Sequence, residues 1–269
     1  MKRAYLDRPD CRLYYEVEGT GPFLVFAHGL GGNHLSWWQQ VPHFRDRYTC
    51  VTFAHRGFVP SSAPPGGADP ADYAGDLAAL LDHLGARDVR LVAQSMGGWA
   101  ALDYALANPS RVRALVLAST AGTIARSPSL FADPEQLPAW ERKAAAAAAA
   151  NQANDIHVAG GERMAREQPT MHFLYQAIDA LSSVDKQQVR QRLMDAFVRP
   201  AEVLRTLNVP TLWLIGAEDI VYPPFLSEIL AKMMPNARAV QIKRSGHSAY
   251  FERPAEFNRV VDEFLGDNS

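Results

Sequence analysis

The sequence has few cysteines and no long apolar run. Cys11 and Cys50 are far apart, and their spacing is not that of a metal site. Such usage predicts no disulfide framework and favours a reduced, cytoplasmic chain. No unbroken apolar stretch approaches the ~20 residues of a membrane span, and no apolar stretch follows the basic start of the chain. We therefore expect neither a membrane anchor nor a signal peptide.

The chain also lacks an excess of charge of either sign. Its 269 residues include 27 basic and 29 acidic side chains, which gives a formal net charge of −2. This balance predicts no attraction to nucleic acid or to an anionic membrane. Neither an H-E-x-x-H pattern nor a phosphate-binding glycine pattern occurs, so we expect no metal and no cofactor. The expected partner is a small-molecule substrate, and the chain is expected to be a monomer or a homodimer.

Short apolar runs alternate with amphipathic segments through most of the chain. The run PFLVFAHG at 22–29 ends in glycine, and the segment at 73–84 places its leucines on one helical face before Gly85. Apolar strands that alternate with helices predict a mostly parallel sheet with helices on both faces. The fold class expected from this pattern is α/β.

The alternation stops between about Gly122 and Val203. This stretch contains several helix-like pieces, among them an alanine-rich run, and no convincing strand. We therefore predict that a helical cap at 122–203 interrupts an α/β core formed by 1–121 and 204–269.

A serine stands between an apolar run and a helix-like segment in LVAQSMGGWAALDYALANP. Ser95 falls where a parallel strand would end, which is the edge of the sheet where ligands bind. The local pattern is G-x-S-x-G except that Ala93 replaces the first glycine, and alanine is still small enough for a tight corner. The pattern predicts a nucleophile, whereas an ordinary helix N-cap serine is the structural alternative.

Two further loops carry the groups that a serine nucleophile needs. A histidine must take the hydroxyl proton, and a carboxylate must orient that histidine. SGHSAYFERP supplies His247, and GAEDIVYPP supplies Asp219 just after a predicted strand. Glu218 is the competing acid, but the spacing G-x-x-D favours Asp219. The order serine, aspartate, histidine is the one expected when all three loops leave the same sheet edge.

The glycine-rich loop in FAHGLGGNHLSWW follows another apolar run. Such a loop brings a backbone N–H close to a developing oxyanion. We assign this role to the N–H groups of Leu30 and Met96, while His28 braces the loop. The residues expected to contact substrate are Gly29, Trp37, Trp38, Gln94, Phe173, Val221 and Tyr222.

These motifs resemble those of α/β-hydrolase-fold serine hydrolases with a helical cap. The resemblance runs from YYEVEGTGPFLVFAHGLGG through HRGFVPSS, AQSMGG and GAEDIVYPP to GHSAYFERPAEF, which is nearly the whole chain. It implies the α/β-hydrolase fold and an acyl-enzyme on Ser95. Two positions depart from the family: Ala54 replaces an aspartate, and Gln94 stands where histidine is frequent. A serine at position 95 disfavours the related enzymes that use an aspartate nucleophile.

The substrate expected from the sequence is a small, largely apolar carboxylic ester, lactone or thioester. The cap segments SPSLFADP and PTMHFLYQAI are apolar; they offer Leu130, Phe131, Met171, Phe173, Leu174 and Tyr175. No basic cluster is evident, so di-anionic substrates are expected to be poor unless Arg126, Arg163 or Arg166 turns inward. Two alternatives stay open: hydrolysis of a carbon–carbon bond in a diketone-like substrate, and a small-molecule receptor on the same fold.

Overall fold

A computed structural model, which describes residues 1–196 and 198–268, contains one eight-stranded sheet. Its strands are β1 (Lys2–Asp7), β2 (Arg12–Glu18), β3 (Phe23–Ala27), β4 (Thr49–Phe53), β5 (Val89–Gln94), β6 (Val112–Ala118), β7 (Thr211–Gly216) and β8 (Ala237–Ile242). Their spatial order is β1-β2-β4-β3-β5-β6-β7-β8. Strands β3 to β8 are parallel, whereas β1 and β2 are antiparallel to their neighbours. The expected mostly parallel sheet is confirmed.

Helices cover both faces of this sheet. The helices of the described residues are α1 (Val41–Phe44), α2 (Tyr73–His83), α3 (Gly97–Ala107), α4 (Gln136–Ala153), α5 (Gly161–Glu167), α6 (Pro169–Ala180), α7 (Lys186–Asp195), α8 (Pro224–Met233), α9 (Ala249–Glu252) and α10 (Pro254–Gly266). Helices α2, α3 and α8 pack on one face, and α1, α9 and α10 pack on the other. None of the helices in the described part of the chain is long and apolar enough to cross a membrane.

The pleat of each central strand explains why its sequence is apolar at most positions on both faces. In β3, Val25 and Ala27 face the layer of α2, α3 and α8, whereas Leu24 and Phe26 face the opposite layer. Successive side chains of a strand point to opposite faces. Because both faces are covered, every residue of β5 and β7 is buried.

Strand β1 is not predicted by the sequence pattern. Its side chains are exposed or half-buried, so no apolar run marks it. It forms by pairing with β2 over its full length, from Lys2 opposite Val17 to Asp7 opposite Arg12. A polar edge strand of this kind gains its order from the backbone ladder and not from burial.

Helices α4 to α7 form one excursion between β6 and β7. The two ends of the excursion meet, because Ile124 pairs with Arg199 in an isolated parallel bridge. The N–H of Ala125 donates to the Arg199 carbonyl, and the Arg199 guanidinium donates to Asp103 of α3. The segment at 122–203 contains residue 197, which lies outside the described residues, and its boundaries as a cap remain a prediction.

A buried arginine organises the turn after β4. Arg56 donates two hydrogen bonds of 2.7 Å to the two carboxylate oxygens of Asp76, and a third bond to Asp72. The side chains of Arg56 and Asp76 are 4% and 1% exposed, so the pair is almost free of solvent screening. Removing one member of a buried pair leaves the other charge without compensation. The arginine of the HRG sequence therefore has a structural role in the fold.

We expect Arg56→Ala to lower the free energy of unfolding by about 3 kcal/mol, because Asp76 then stays buried with only Arg8 beside it. Urea unfolding curves measure this loss. Arg3→Ala serves as the control, since its ion pair with Glu16 involves a guanidinium that is 66% exposed, and we expect a change below about 1 kcal/mol. Equal losses in the two variants would contradict the structural role of Arg56.

Candidate active site

Ser95 lies on a tight corner between β5 and α3. Its φ is +49°, in the left-handed region that side chains other than glycine rarely adopt. The Ser95 N–H donates to the Ala118 carbonyl of β6 at 2.9 Å, which fixes the corner to the sheet. Backbone strain of this kind persists where the surrounding structure imposes it, and it is common at functional sites.

The two glycines after Ser95 allow α3 to approach the sheet. A Cβ on Gly97 would lie 2.3 Å from the Ala27 carbonyl oxygen, and a Cβ on Gly98 would lie 2.3 Å from Thr120 Oγ1. Both distances are far below van der Waals contact. Gly97 is required by the packing of α3 against β3, and Gly98 by its packing against the segment after β6. A plain turn would need only one glycine.

His247 and Asp219 form a buried hydrogen-bonded pair. His247 Nδ1 lies 2.8 Å from Asp219 Oδ2, and Asp219 Oδ1 accepts the N–H groups of Val221 and Tyr222, each at 2.8 Å. The Asp219 oxygen is the acceptor of this bond, so His247 Nδ1 carries a proton and points it at the carboxylate. The loop after β7 thus holds the carboxylate rigidly against the histidine.

Glu218, the competing acid, is engaged elsewhere. Its two carboxylate oxygens accept hydrogen bonds of 2.7 Å from Arg163 of α5. These bonds hold the pKa of Glu218 below its usual range. Arg163 also pairs with Glu167, and Arg166 is largely exposed, so these two arginines serve the cap surface.

A cavity of about 450 Å³ contains Ser95 and His247 in its wall. Several other residues singled out in the sequence also line this cavity: Leu30, Gln94, Met96, Val221 and Tyr222. The structure therefore brings three separate loops of the core together at the carboxyl edge of the sheet. Gly29 lies directly behind the wall, where an added Cβ would be 3.1 Å from Ser95 Cβ.

Besides Gly29, three predicted substrate contacts do not reach this cavity. Trp37 is fully buried between Phe26 and Tyr250, with ring centroids 5.1 and 4.7 Å away. Trp38 packs edge-on against Phe251 at the surface, and Phe173 is 71% exposed on α6. The expectation for these three residues is corrected: Trp37 belongs to the core, Trp38 to its rim, and Phe173 to the exposed face of α6.

The cap contributes different residues from those predicted. Of the six apolar cap residues named from the sequence, only Tyr175 lines the cavity. Helix α7 supplies four others, Lys186, Arg190, Leu193 and Met194, at helical spacing i, i+4, i+7 and i+8. Arg126 lines the cavity too, so one of the three arginines named as exceptions from the sequence does reach it. The i, i+4 spacing of Lys186 and Arg190 was the sequence signal that could have identified these two cavity residues.

The loop after β3 is held by His28. His28 Nε2 accepts the His55 N–H at 3.0 Å, so the proton is on Nδ1, which donates to the Gly29 carbonyl at 2.8 Å. Burial lowers the pKa of His28 to about 3, and the ring is neutral. Within the described residues, the N–H groups of Leu30 and Met96 have no hydrogen-bond acceptor. Both residues line the cavity with Ser95, and a backbone donor without an acceptor in the protein is available to a ligand.

Gln94 connects the loops that surround Ser95. Its Nε2 donates to the His247 carbonyl at 3.2 Å. Its Oε1 lies where a Cβ on Gly29 would be only 2.2 Å away, so a side chain at position 29 would displace the amide. The departure from the family at position 94 therefore places an amide that packs against Gly29 and donates a hydrogen bond to the histidine loop.

Glu252 of α9 lies behind His247 and is 2% exposed. Its Oε2 accepts the N–H of Gly246, the residue before His247, at 2.7 Å. Its Oε1 has no hydrogen-bond partner among the described residues. Burial raises the pKa of Glu252 to about 7. At acidic pH the Glu252 carboxyl is protonated and neutral. Burial costs less free energy for a neutral carboxyl than for a carboxylate whose Oε1 accepts no hydrogen bond.

The titration of Glu252 predicts a pH-dependent stability. Glutamate in an unfolded chain has a pKa of about 4.3, so between about pH 4 and pH 7 the folded protein binds a proton that the unfolded chain has lost. The free energy of unfolding must then fall as pH rises through this window, by about 3 kcal/mol for this group. Glu252→Gln removes the titration, so the difference between wild type and variant should shift by that amount between pH 4.5 and pH 7.5.

Urea unfolding of both proteins at the two pH values measures this shift. Glu141→Gln, the same substitution at an exposed position of α4, is the control and should follow wild type. A constant difference between wild type and Glu252→Gln across the window would show that Glu252 is already ionised at the lower pH.

Known proteins share this architecture over the full chain. A family model for the alpha/beta hydrolase fold matches residues 22–254. A protein of Azorhizobium caulinodans, provisionally named a carbamate hydrolase, is 27% identical over 98% of both chains. The 3-oxoadipate enol-lactonase 2 of Acinetobacter baylyi is 26% identical, over 97% of this chain and 95% of its own. A thermophilic esterase structure from Thermogutta terrifontis superposes with a TM-score of 0.79 at 25% identity, covering 100% of both chains.

The fold, the strained corner and the family match together define an enzyme class. The chain belongs to the α/β-hydrolase fold family. It is a hydrolase that acts on small molecules, in keeping with the activities for which its relatives are named.

Proposed function

We propose that the protein is a serine hydrolase that cleaves a small carboxylic ester or lactone through an acyl-enzyme. Ser95 is the nucleophile, His247 the general base and Asp219 the acid that orients it. The observation that carries the proposal is the 2.8 Å bond between His247 and Asp219 on the wall of the cavity that Ser95 also lines. The names of the enol-lactonase and esterase relatives support the ester or lactone class.

The proposed chemistry follows from the protonation states of these groups. Ser95 Oγ attacks the substrate carbonyl carbon while neutral His247 Nε2 takes the hydroxyl proton. The resulting imidazolium is stabilised by Asp219, and it returns the proton to the leaving alkoxide. Water then attacks the acyl-enzyme by the same route, and Ser95 regains its proton. Asp219 accepts three hydrogen bonds throughout, so it orients the ring and remains ionised.

The N–H groups of Leu30 and Met96 are the proposed oxyanion donors. Their support is that neither donates to another described residue and that both residues line the cavity beside Ser95. Fixed donors at the developing negative charge are worth several kcal/mol in a site that excludes water. The hydrogen bonds of His28 with the Gly29 carbonyl and with the His55 N–H hold the loop that carries the first donor.

We expect Ser95→Ala to lower kcat on 4-nitrophenyl butyrate by a factor on the order of 10⁶, because no other hydroxyl replaces the nucleophile. The release of 4-nitrophenolate measures turnover, and circular dichroism checks the fold. Ser129→Ala, at an exposed position of the cap, is the matched control and should retain the wild-type rate. More than a tenth of the activity surviving in Ser95→Ala would sink the assignment.

Asp219→Asn should lower kcat by about 10⁴, because an amide in that position stabilises the wrong histidine tautomer. Glu218→Gln offers a matched control at the neighbouring acid, whose partner is Arg163, and it should change kcat by less than about threefold. The same ester assay decides between them. A larger loss in Glu218→Gln than in Asp219→Asn would move the acid role to Glu218.

A further inference from the structure

A carboxylate of α6 lines the cavity that contains Ser95. Asp179 is the one carboxylate among the described residues of this lining, and it lies one turn after Tyr175. A Cβ on Gly31 would lie 3.0 Å from Tyr175 Oη and 3.1 Å from Asp179 Oδ1. Gly31 follows Leu30, whose N–H is a proposed oxyanion donor. Helix α6 therefore places a carboxylate beside the loop at which the substrate carbonyl would bind.

Two hydrogen bonds hold this part of α6 in place. Ser248, the residue after His247, donates from its Oγ to Tyr175 Oη at 3.1 Å. Lys186 at the start of α7 donates from its Nζ to the Asp179 carbonyl. Tyr175 and Ser248 are buried, so the first of these bonds is shielded from water. The position of Asp179 relative to the histidine and oxyanion loops is therefore set by the fold before a ligand binds.

The charge of Asp179 is compensated within the protein. Lys186 Nζ lies 2.8 Å from Asp179 Oδ1. Burial by itself raises the pKa of Asp179, but His157 and Lys186 hold this pKa below its usual range, so the carboxyl is ionised. An ionised carboxylate accepts hydrogen bonds and donates none. Asp179 is accordingly an acceptor in the cavity wall, and its pair with Lys186 keeps it from opposing a negative charge that develops near Ser95.

An acceptor and a donor that the protein does not use lie close together here. Among the described residues, none donates a hydrogen bond to Asp179 Oδ2. His157 Nδ1 accepts the Ala159 N–H at 3.1 Å, so the proton of the ring is on Nε2. This Nε2 lies 3.7 Å from Asp179 Oδ1, which is too far for a hydrogen bond. His157 also lines the cavity, so a ligand meets one acceptor and one donor at this place.

The cavity wall also has an apolar part. It comes from the core and from α7, and it includes Leu30, Met96, Leu193 and Met194. A ligand that displaced water from Asp179 without replacing its hydrogen bond would leave a carboxylate oxygen without a donor, which costs free energy. A hydroxyl group donates one hydrogen bond and accepts another, so it matches both Asp179 Oδ2 and His157 Nε2. A cation is a poorer match, because Lys186 already compensates the carboxylate.

We propose that the substrate is an ester or lactone with a hydroxyl group close to its scissile carbonyl, and that Asp179 accepts the hydrogen bond of this hydroxyl. His157 Nε2 donates to the same hydroxyl oxygen, and the apolar part of the wall contacts the hydrocarbon chain. Asp179 is then a residue that determines specificity. The proposal rests on the proposed function, in which Ser95 attacks that carbonyl. The structural alternative is an ion pair between Asp179 and Lys186 that only joins α6 to α7.

The test compares esters in which a methyl group replaces the hydroxyl group at nearly the same size. On the acyl side, 4-nitrophenyl 2-hydroxybutyrate and 3-hydroxybutyrate are compared with the 2-methylbutyrate and 3-methylbutyrate esters. On the alcohol side, 2-hydroxyethyl butyrate is compared with propyl butyrate by titration of the released acid. The hydroxyl preference is the ratio of kcat/KM for the two members of a pair, corrected for spontaneous hydrolysis. Both esters of a pair are measured on one preparation of each variant, so an inactive fraction cancels in the ratio.

Wild type should prefer the hydroxyl ester in at least one of these pairs. Asp179→Leu should lower this preference by about tenfold, because a hydrogen bond to a charged acceptor is lost. Asp179→Asn retains one acceptor oxygen without the charge, so its loss should be about threefold. Asp46→Asn, the same change at a side chain that is 89% exposed and outside the cavity, should leave the ratio unchanged.

Lys186→Met removes the charge that compensates Asp179. We expect it to raise kcat/KM for 4-nitrophenyl 3-aminobutyrate relative to the 3-methylbutyrate ester, since the ammonium group then pairs with the carboxylate. No such gain, or the same hydroxyl preference in wild type and Asp179→Leu in every pair, would overturn the hydroxyl site while leaving Ser95 as the nucleophile. The absence of any hydroxyl preference in wild type would overturn it as well. Failure of wild type to hydrolyse every ester would instead overturn the proposed function, and the substrate inference with it.

Discussion

The close approach of α3 to the ends of β3 and β6 is the constraint on which the rest of the site depends. Ser95 is held in the left-handed region at this corner, and a Cβ is excluded at Gly97 and at Gly98. The corner then presents the serine side chain to the cavity and leaves the N–H of Met96 without an acceptor among the described residues. The strain is confined to the corner. A hydrogen bond from the Ser95 N–H to β6 stabilises this backbone conformation.

Buried hydrogen bonds hold the two loops that flank this corner. Gln94 binds the His247 carbonyl, His28 binds the Gly29 carbonyl, and Glu252 accepts the Gly246 N–H. These partners are buried, so each bond acts without competition from water. The site is thus organised before substrate arrives, which is the condition under which fixed dipoles stabilise a developing charge.

The sequence predicted the sheet and the loops of the core because local chemistry determines them. Apolar runs of strand length must be buried, and the elbow pattern around Ser95 has few structural solutions. The cap lining was predicted poorly because it depends on which face of each helix turns inward. Phe173 and Tyr175 are two positions apart on α6, yet one is exposed and the other is buried in the cavity wall.

The same limit applies to the charges. Arg126, Arg163 and Arg166 are equivalent in the sequence, but Arg163 is bound by Glu218 and Glu167, whereas Arg126 stacks near Tyr222. Long-range ion pairs of this kind are set by tertiary contacts and leave no local pattern. Strand β1 was missed for a related reason, since its order comes from a partner strand.

Covalent labelling tests the central claim most directly. The intact protein is treated with a fluorophosphonate, digested, and its peptides are sequenced by mass spectrometry. If Ser95 is the activated nucleophile, one phosphonyl group is bound per chain, it is on Ser95, and His247→Ala abolishes the labelling. An unmodified Ser95, or a label found on the neighbouring Ser119 or Ser248, would contradict the account.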